Sequence, residues 1–304
     1  MSNDYREIIT QKLQTVRGSL SFDNNLAKYT WFKVGGKADV FFIPEDEHDL
    51  CQFLGDLPKK VPVTVIGNAS NLIIRDGGIS GVVIRLGSGF SGIKIDGSLL
   101  KVGGGTAGTS VARKALLFGL GGLEFLSGIP GTIGGALNMN AGAYGNEMKD
   151  IFSKARVVDK KGVVHHLNRD DIIFSYRSTN INPEWIISEV ELMAKPVEKD
   201  LIAARMEEIA AMRTKTQPIK TMTGGSTFKN PRGYSAWQLI QTSGCKGLKN
   251  GGASISNLHC NFLINNGQAS AKELEGLGEE VRQKVFDQTG LRLEWEIQRV
   301  GNNE

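Results

Sequence analysis

The residues from Gly128 to Gly145, which read GIPGTIGGALNMNAGAYG, constrain the fold more than any other part of this chain. Glycine and proline both disfavour the interiors of helices and strands, so we expect no ordinary helix or strand here. The stretch carries no charge, and its interleaved apolar residues are not typical of a disordered linker. So much bare backbone beside apolar anchors predicts a segment that a flat ligand can approach closely.

The composition is typical of a globular protein, with 304 residues, 40% of them hydrophobic and 22% charged. We expect two or three compact units in a cytoplasmic protein with no membrane insertion, because no apolar run or secretory signal is evident. Cys51, Cys245 and Cys260 have no paired spacing, which predicts reduced thiols. The net charge of +4 is mild, and the basic residues form no stripe. This pattern favours anionic small molecules over nucleic acid as partners.

Hydrophobic periodicity predicts alternating helices and short strands. The first elements are an amphipathic helix over about residues 3–17 and a right-handed βαβ unit formed by DVFFIP, EDEHDLCQFLGDL and VPVTVIG. Strands at GVVIRL and GIKIDGSLLKVG precede a helix, SVARKALLFGL, which Thr109 or Ser110 is expected to start. Hairpins near residues 155–167 and 185–194 and a linker helix, EKDLIAARMEEIAAMRTKT, follow. In the last part of the chain, the pattern predicts a helix at YSAWQLIQTSG, strands at ASIS and NFLIN, a helix over 270–289 and a terminal strand, RLEWEIQRVG.

Several clusters of glycine or histidine suggest ligand sites, and two of them are misleading. GSGFSG, at residues 87–92, has dinucleotide-binding spacing, but a strand follows it where that motif needs a helix. His165 and His166 lie in a hairpin strand, and no His, Cys, Asp or Glu grouping has metal-ligand spacing, so we expect no metal. The chain also lacks a Walker A lysine motif.

Two other glycine clusters are better candidates for binding an anionic ligand. The residues from Gly67 to Asn71 follow a strand and can curl backbone N–H groups around an anion without a lysine. Gly131, Gly134 and Gly135 offer the same chemistry in the stretch described first. Either cluster alone is equally compatible with a simple tight turn.

Longer motifs, taken in order, resemble a known family. They are NNLAKYTWFKVGGKADVFFIP, GNASNLIIRDGGISGVVIRL, GLGGLEFLSGIPGTIGGALNMNAGAYG, FSYRST, GGSTFKNP and LEWEIQRVG. The third is similar to the signature of the UDP-N-acetylenolpyruvoylglucosamine reductases, flavoenzymes that complete UDP-N-acetylmuramate in bacterial cell-wall synthesis. The second resembles the pyrophosphate loop of that family, and the last three resemble separate active-site motifs. The resemblance extends over nearly the whole chain.

This resemblance implies an α+β fold, with a two-lobed FAD-binding domain of the vanillyl-alcohol-oxidase type and a C-terminal α+β substrate-binding domain. The expected boundaries are residues 1–86 for the first lobe with its N-terminal helix, 87–196 for the second lobe and 197–304 for the substrate domain. It also implies non-covalent FAD, NADPH as co-substrate and a UDP-sugar substrate, UDP-N-acetyl-3-O-(1-carboxyvinyl)-glucosamine. We expect a monomer.

The family reaction implies roles for three residues. Hydride passes from NADPH through the flavin to the terminal methylene carbon of the enol ether, and negative charge develops on the neighbouring carbon and its carboxylate. Arg177 corresponds to the arginine that grips this carboxylate, and Ser226 to the serine that protonates the carbon. Glu296 corresponds to a glutamate that donates to the carboxylate. Alternation along a strand places Glu294 on the same face, so the pattern alone does not choose between the two glutamates.

The resemblance also implies contacts with the cofactor and the substrate. Substrate or nicotinamide contacts are expected from Tyr176, Lys229, Asn230, Lys246 and His259. Flavin contacts are expected from two segments: Gly67, Asn68, Ala69, Ser70, Asn71 and Leu72; Gly128, Ile129, Pro130, Gly131, Gly134, Gly135, Asn140, Ala141, Gly142 and Ala143.

The chain departs from the family pattern at three places. Ala69 stands where glycine is usual, which a phosphate loop should tolerate. Gln298 stands where the family often has arginine, so we expect no phosphate or carboxylate contact there. The short connection RSTNINPEW leaves no room for the tyrosine-bearing loop of one subclass, so the chain resembles the loop-less second type.

Two other functions remain open from the sequence. An oxidoreductase of the same fold that acts on another substrate would be favoured by a covalently attached flavin, and none of the four histidines lies in the phosphate-loop motifs. A non-catalytic protein that binds nucleotide sugars would purify without yellow colour.

Overall fold

The computed structural model describes Ile9 and residues 16–303. The helix predicted over residues 3–17 lies outside the described residues, except that Ile9 is buried and Val16 and Arg17 are not helical. Contacts divide the chain into two compact units. The first consists of residues up to 23, 39–67 and 81–211, and the second of residues 24–38, 68–80 and from 212 onwards. The chain therefore passes between the units several times, and the three consecutive domains expected from sequence stay a prediction.

The helices and strands are numbered in chain order. The α-helices are α1 (Glu47–Asp56), α2 (Gly108–Leu117), α3 (Ile133–Asn138), α4 (Met148–Ile151), α5 (Lys199–Thr216), α6 (Ala236–Thr242) and α7 (Ala271–Thr289). The strands of the first half are β1 (Ser19–Asn25), β2 (Lys37–Ile43), β3 (Val63–Ile66), β4 (Leu72–Ile74), β5 (Ile79–Arg85), β6 (Ile93–Asp96), β7 (Leu99–Gly103), β8 (Leu120–Gly121), β9 (Gly142–Ala143) and β10 (Asn146–Glu147). Those of the second half are β11 (Phe152–Val158), β12 (Val164–Asn168), β13 (Phe174–Ser175), β14 (Ser178–Thr179), β15 (Ile186–Met193), β16 (Lys195–Pro196), β17 (Lys249–Asn250), β18 (Ala253–Ile255), β19 (Leu263–Asn265) and β20 (Gln298–Val300).

The first unit contains two larger sheets, of four and five strands, each with its own buried core. A four-stranded sheet has the order β1-β2-β5-β3, with β3 parallel to β5, and α1 contributes to the core beside it. A five-stranded antiparallel sheet has the order β12-β11-β15-β7-β6. Its core includes the apolar residues of α2 and α3. The predicted hairpin near residues 155–167 is confirmed, whereas residues 185–194 form no hairpin, since β15 is one strand between β11 and β7.

Helix α2 begins earlier than the sequence pattern predicts. Its N-cap is Ala107, whose methyl side chain makes no cap hydrogen bond, so neither Thr109 nor Ser110 starts the helix. The Gly108 N–H instead donates to the Gly131 carbonyl at 3.3 Å. A backbone contact from the glycine-rich stretch thus replaces the expected side-chain cap.

The expectation that residues 128–145 form no helix is wrong for α3. Thr132 caps this six-residue helix by accepting a hydrogen bond from the Gly135 N–H, and Ile133, Ala136 and Leu137 are buried. Burial of these apolar side chains outweighs the low helix propensity of the adjacent glycines, which is about 1 kcal/mol per residue relative to alanine.

The second unit packs α7 against a small antiparallel sheet, β17-β18-β19. Leu274, Leu277, Val281 and Val285 form the buried face of α7, with the spacing of an amphipathic helix. A capping box of Ser270 and Glu273 starts the helix, and Gly290 ends it in the left-handed conformation. The helix predicted over 270–289 is therefore confirmed.

The C-terminal strand is shorter than predicted. Only β20 forms a regular strand, which pairs in parallel with β4, and Glu294 to Glu296 lie outside it. Trp295 makes an isolated bridge with Phe228. The strand alternation expected for Glu294 and Glu296 therefore does not apply. Among the described residues, no helix is long and apolar enough to cross a membrane.

Candidate functional site

In the second unit, Asn68, Ala69 and Ser70 form a loop whose backbone is suited to an anion. Ala69 has a φ of +45°, in the left-handed region, and Ala69 and Ser70 are buried. Within the described residues, no hydrogen-bond acceptor is found for the N–H groups of these three residues. Successive N–H groups in such a turn make a concave site for phosphate oxygens. The backbone of this loop is therefore suited to an anion, and its contact with the FAD pyrophosphate stays a prediction.

The same loop runs beside the segment that carries Glu296. The Asn71 side-chain amide donates to the Glu296 carbonyl at 3.0 Å, and the Gln298 N–H donates to the Asn71 carbonyl at 3.0 Å. Leu72 pairs in register with Gln298. Two motifs that are more than 220 residues apart in sequence thus share one hydrogen-bonded ladder.

In the first unit, the two glycine clusters meet. A Cβ on Gly67 would lie 2.5 Å from Thr132 Oγ1, so only glycine fits the end of β3 beside the start of α3. Gly134 donates its N–H to the Gly104 carbonyl at 2.9 Å, and Gly135 donates to Thr132 Oγ1 at 3.4 Å. Because these N–H groups are already engaged, Gly134 and Gly135 do not form the second anion loop that the sequence suggested. Their role as flavin contacts stays a prediction based on close approach alone.

Other residues of the glycine-rich stretch, from Gly128 to Gly145, also make internal contacts. Asn140 is fully buried at a φ of +44°, and its side-chain amide donates to Glu147 Oε2 and to the Ser175 carbonyl. The Ala141 N–H donates to the Ala136 carbonyl, and Ala141 is buried in the core. Gly128 has no space for a side chain, because a Cβ there would lie 2.5 Å from the Tyr144 ring. These residues are packed within the first unit, and their contacts with FAD stay predictions.

Arg177 lies in a two-residue turn in the first unit. The turn joins β13 to β14, and Arg177 occupies its second position at a φ of +56°. Glycine or asparagine is the usual residue at a turn position with positive φ, so the arginine is held at an energetic cost. The guanidinium donates to the Gly142 carbonyl at 3.0 Å and lies over the Tyr176 ring, 5.0 Å from its centroid. The turn therefore brings together the side chains of Tyr176 and Arg177, which are both predicted to bind substrate.

Ser226 lies in a segment of the second unit that is fixed on both sides. The Thr227 N–H donates to the Asn261 carbonyl at 2.8 Å, and the Phe228 backbone exchanges two hydrogen bonds with the Asn261 side chain. Gly225, on the other side, has a φ of +83°. The Ser226 hydroxyl is half-buried and has no hydrogen-bond partner among the described residues. A rigid backbone therefore presents an available hydroxyl.

Glu296 lies directly beside this segment. Its N–H donates to the Thr227 carbonyl at 2.9 Å, so the backbones of the residues carrying the Ser226 and Glu296 motifs are hydrogen-bonded to each other. Glu296 is half-buried, whereas the Glu294 side chain is 76% exposed. Glu294 instead faces Lys229, with 3.5 Å between Oε2 and Nζ. The two glutamates that alternation left equivalent thus differ in exposure and contacts, and the catalytic role of Glu296 stays a prediction.

The remaining predicted substrate residues lie in the second unit. Lys229 is held by the ion pair with Glu294, and Asn230 accepts the Ala236 N–H at the start of α6. Lys246 is exposed. Burial lowers the pKa of His259, whose Nδ1 accepts the Asn261 N–H and whose ring packs edge-on against Phe262. These contacts are those of a neutral structural histidine, and a substrate contact by His259 stays a prediction.

Two further residues, Asn261 and Glu147, were not predicted from the sequence. Asn261 is buried and clamps the Ser226 segment, and Glu147 lies between Asn140 and Arg177. A polar residue inside an apolar motif such as HCNFLIN is the only signal that could have indicated Asn261, because its partner lies 33 residues away.

The features predicted to be misleading make ordinary structural contacts. Gly87 precedes a short 3-10 helix that contains Gly89, and β6 rather than an α-helix follows Gly92. His165 stacks on Trp185 and contacts Asp159. Within the described residues, no group of His, Cys, Asp or Glu could hold a metal ion. The three cysteines are free thiols, as expected.

Comparisons with known proteins agree with this arrangement. Residues 38–168 match an FAD binding domain, and residues 217–300 match the C-terminal domain of UDP-N-acetylenolpyruvoylglucosamine reductase. UDP-N-acetylenolpyruvoylglucosamine reductase from Azorhizobium caulinodans is 52% identical over 289 residues, which cover 95% of this chain and 94% of the relative. The reductase from Paramagnetospirillum magneticum is 49% identical over 299 residues, covering 98% and 96%.

A solved structure extends the similarity to three dimensions. The crystal structure of the reductase from Thermus caldophilus matches with a TM-score of 0.81 at 36% identity and covers 93% of this chain and 98% of its own. The fold and the matched domains define an FAD-containing oxidoreductase. The chain belongs to the UDP-N-acetylenolpyruvoylglucosamine reductase family. The predicted α+β fold, with its FAD-binding domain and C-terminal domain, is confirmed.

Proposed function

We propose that this protein reduces the enolpyruvyl group of UDP-N-acetyl-3-O-(1-carboxyvinyl)-glucosamine with NADPH and forms UDP-N-acetylmuramate. FAD, when bound, would supply the redox chemistry by which hydride passes from NADPH to the terminal methylene carbon. The observation that supports this proposal most strongly is the hydrogen-bonded ladder in the second unit, which carries the anion loop, the Ser226 segment and Glu296 together.

Arg177 holds the carboxylate of the enolpyruvyl group in this proposal. A guanidinium presents two parallel N–H donors to a carboxylate, and it remains charged throughout the reaction. Negative charge grows on this carboxylate as hydride arrives, so the same contact is stronger in the transition state than in the ground state. The strained turn fixes the backbone position of Arg177. Less conformational entropy of the arginine is therefore lost when the substrate binds.

Ser226 donates the proton that completes the reduction. The hydroxyl proton passes to the carbon next to the carboxylate, and hydride adds to the methylene carbon. The carbon–carbon double bond thus becomes a single bond and gains two hydrogens. A serine hydroxyl is a weak acid, but the carbanionic carbon is a strong base, and the transfer is favourable in that direction. Glu296, beside the Ser226 segment, donates a hydrogen bond from its protonated carboxyl to the substrate carboxylate as charge develops there.

The backbone of Asn68, Ala69 and Ser70 would hold the FAD pyrophosphate, because their N–H groups have no acceptor among the described residues. The glycine-rich residues from Gly128 to Ala143 would lie along the flavin. The substrate phosphates would bind Lys229, with Tyr176, Asn230, Lys246 and His259 as further contacts. We propose that the protein acts as a cytoplasmic monomer and binds neither nucleic acid nor membrane.

A visible spectrum of the purified protein tests this function. We expect yellow FAD that acid precipitation releases completely, loss of flavin absorbance on anaerobic addition of NADPH, and its return on addition of the enolpyruvyl sugar. Colour kept in the acid pellet would indicate a covalent flavin and a different oxidoreductase. A colourless protein that binds UDP-sugars would indicate a non-catalytic binding protein.

A further inference from the structure

Glu147 lies beneath the Tyr176–Arg177 turn and has no role in the reaction described above. It forms β10 with Asn146 and pairs with Gly142 across the ladder to β9. Its side chain is mostly shielded from solvent, and Oε2 contacts Lys149 Nζ at 2.9 Å. A carboxylate this close to a carboxylate-binding arginine would repel the substrate unless it serves that arginine.

Asn140 connects Glu147 to the base of the turn. Its side-chain amide donates to Glu147 Oε2 at 2.9 Å and to the Ser175 carbonyl at 3.0 Å, while its Oδ1 accepts the Lys149 N–H at 3.1 Å. Every polar atom of this fully buried side chain is therefore engaged. The amide forms a rigid link between the Glu147 carboxylate and the strand that leads into Arg177.

Gly142 lies next to both Glu147 and Arg177. A Cβ on Gly142 would lie 2.6 Å from Glu147 Cγ and 3.3 Å from Arg177 Nη1. The Arg177 guanidinium also donates to the Gly142 carbonyl. Both side chains therefore lie near the position that a Gly142 side chain would occupy, and its absence lets Glu147 and the Arg177 guanidinium approach each other.

We propose that Glu147 is a positioning residue, which acts with Asn140 to hold the Tyr176–Arg177 turn and to orient the Arg177 guanidinium for a carboxylate ligand. The inference rests on the proposed function, since that function supplies the carboxylate. Asn140 fixes the position of the turn, and the negative charge of Glu147 keeps the Arg177 guanidinium in contact with the Gly142 carbonyl. The substrate then meets an arginine that is already oriented.

The charge state of Glu147 agrees with this role. Burial alone would raise its pKa, but hydrogen bonds from Lys149 and Asn140 and the positive charges of Lys149 and Arg177 lower the pKa below its usual range. The carboxylate is therefore ionised at neutral pH, where it attracts the guanidinium.

A double-mutant cycle tests the proposal, with Glu147→Gln, Arg177→Lys and both together in the FAD-loaded protein. Glutamine keeps the size of the side chain and an oxygen for Asn140 but removes the charge. We expect Glu147→Gln to slow reoxidation of the reduced flavin by the enolpyruvyl sugar about tenfold and to leave reduction by NADPH within about twofold. In the Arg177→Lys background, the same change should cost less than about twofold, because its effect passes through the arginine.

Glu191→Gln is the matched control. Glu191 is a similarly shielded carboxylate of the first unit that pairs with Lys101 at 3.2 Å. We expect this variant to change neither half-reaction by more than about twofold, since it lies outside the turn. Equal slowing by the two variants would mean that losing any part-buried ion pair of this unit is enough.

Crystal structures of the two variants give a readout that needs no substrate. In Glu147→Gln, we expect the Arg177 guanidinium to leave the Gly142 carbonyl, while Glu191→Gln keeps this contact. A retained contact, or a rate effect that is additive with Arg177→Lys, would overturn the inference. If the enolpyruvyl sugar fails to reoxidise the wild-type flavin, the proposed function is wrong. The position of the Arg177 guanidinium in the variant crystal structures then decides by itself whether Glu147 orients it.

Discussion

Arg177 combines a predicted chemical role with an unfavourable backbone conformation. A residue other than glycine in the left-handed region costs about 1 kcal/mol or more, and the surrounding contacts must supply that energy. In this protein they include the Gly142 carbonyl and the Tyr176 ring. Selection for stability alone would favour glycine at this position, so the arginine indicates a function.

Replacement of Arg177 by lysine separates charge from geometry. Lysine keeps the positive charge and the same backbone strain but loses the two parallel N–H donors. We expect reoxidation of the flavin by the enolpyruvyl sugar to slow about tenfold to thousandfold, the range for loss of one transition-state contact. Stopped-flow absorbance should show NADPH reduction near the wild-type rate. Equal damage to both half-reactions would assign Arg177 to the fold or to flavin binding.

Replacement of Ser226 by alanine separates proton transfer from hydride transfer. The change removes the hydroxyl with little change in volume, so FAD content and NADPH reduction should be unchanged. Reoxidation by the enolpyruvyl sugar should fall steeply, and Ser226→Cys should restore part of it, because a thiol is the stronger acid. The same stopped-flow comparison measures both. An alanine variant that reoxidises within a few-fold of wild type would mean that the proton comes from another group.

At the scale of elements, helix α3 shows two adjacent glycines with different roles. A Cβ on Gly134 would lie 3.0 Å from the Gly104 carbonyl oxygen, whereas one on Gly135 meets only Thr132 Oγ1, at an ordinary 3.5 Å. Gly134 is buried and Gly135 is exposed. Close packing therefore explains why Gly134 has no side chain, whereas packing within the protein does not explain why Gly135 has none.

Two alanine substitutions test this difference. Gly134→Ala should lower the free energy of unfolding by about 1–3 kcal/mol through overpacking. Gly135→Ala should keep or raise stability, by up to about 1 kcal/mol, because alanine favours helix. If Gly135 faces the flavin, the same variant should bind FAD more weakly, which fluorescence titration measures. Equal destabilisation by both changes would contradict the packing assigned to Gly134.

Elements with a strong hydrophobic period were predictable from sequence, and those set by tertiary contacts were not. The regular apolar face of α7 and its Ser270 cap locate that helix within one residue. Helix α2 instead begins where Gly108 meets the Gly131 carbonyl, a partner that no local pattern indicates. The terminal segment likewise leaves strand geometry where Trp295 bridges to Phe228.

The candidate site shows the same division between local and distant information. Motif resemblance indicated Arg177, Ser226 and Glu296 as candidates for catalysis. It could not indicate Asn261 or Glu147, because their function depends on hydrogen bonds to residues that are distant in sequence or across a turn. Strand alternation could not separate Glu294 from Glu296, and the difference emerged only from the exposure of the first and its pairing with Lys229.

At the scale of the whole molecule, the chain interleaves its two units instead of arranging them in series. Residues 24–38 and 68–80 leave the first unit and join the C-terminal residues in the second. The anion loop therefore belongs to the same compact unit as Ser226 and Glu296, although it precedes them by about 150 residues or more in sequence. In the proposed function, one unit thus contributes both cofactor-binding and proton-donating groups.

The most direct test of the proposed reaction is a single turnover with analysis of the product. The FAD-loaded protein is reduced anaerobically with one equivalent of NADPH and then mixed with the enolpyruvyl sugar, and the nucleotide sugar is examined by mass spectrometry. We predict one product molecule per flavin, heavier than the substrate by two hydrogens, together with full return of the flavin absorbance. Unchanged substrate beside a flavin that stays reduced would contradict the proposed reaction.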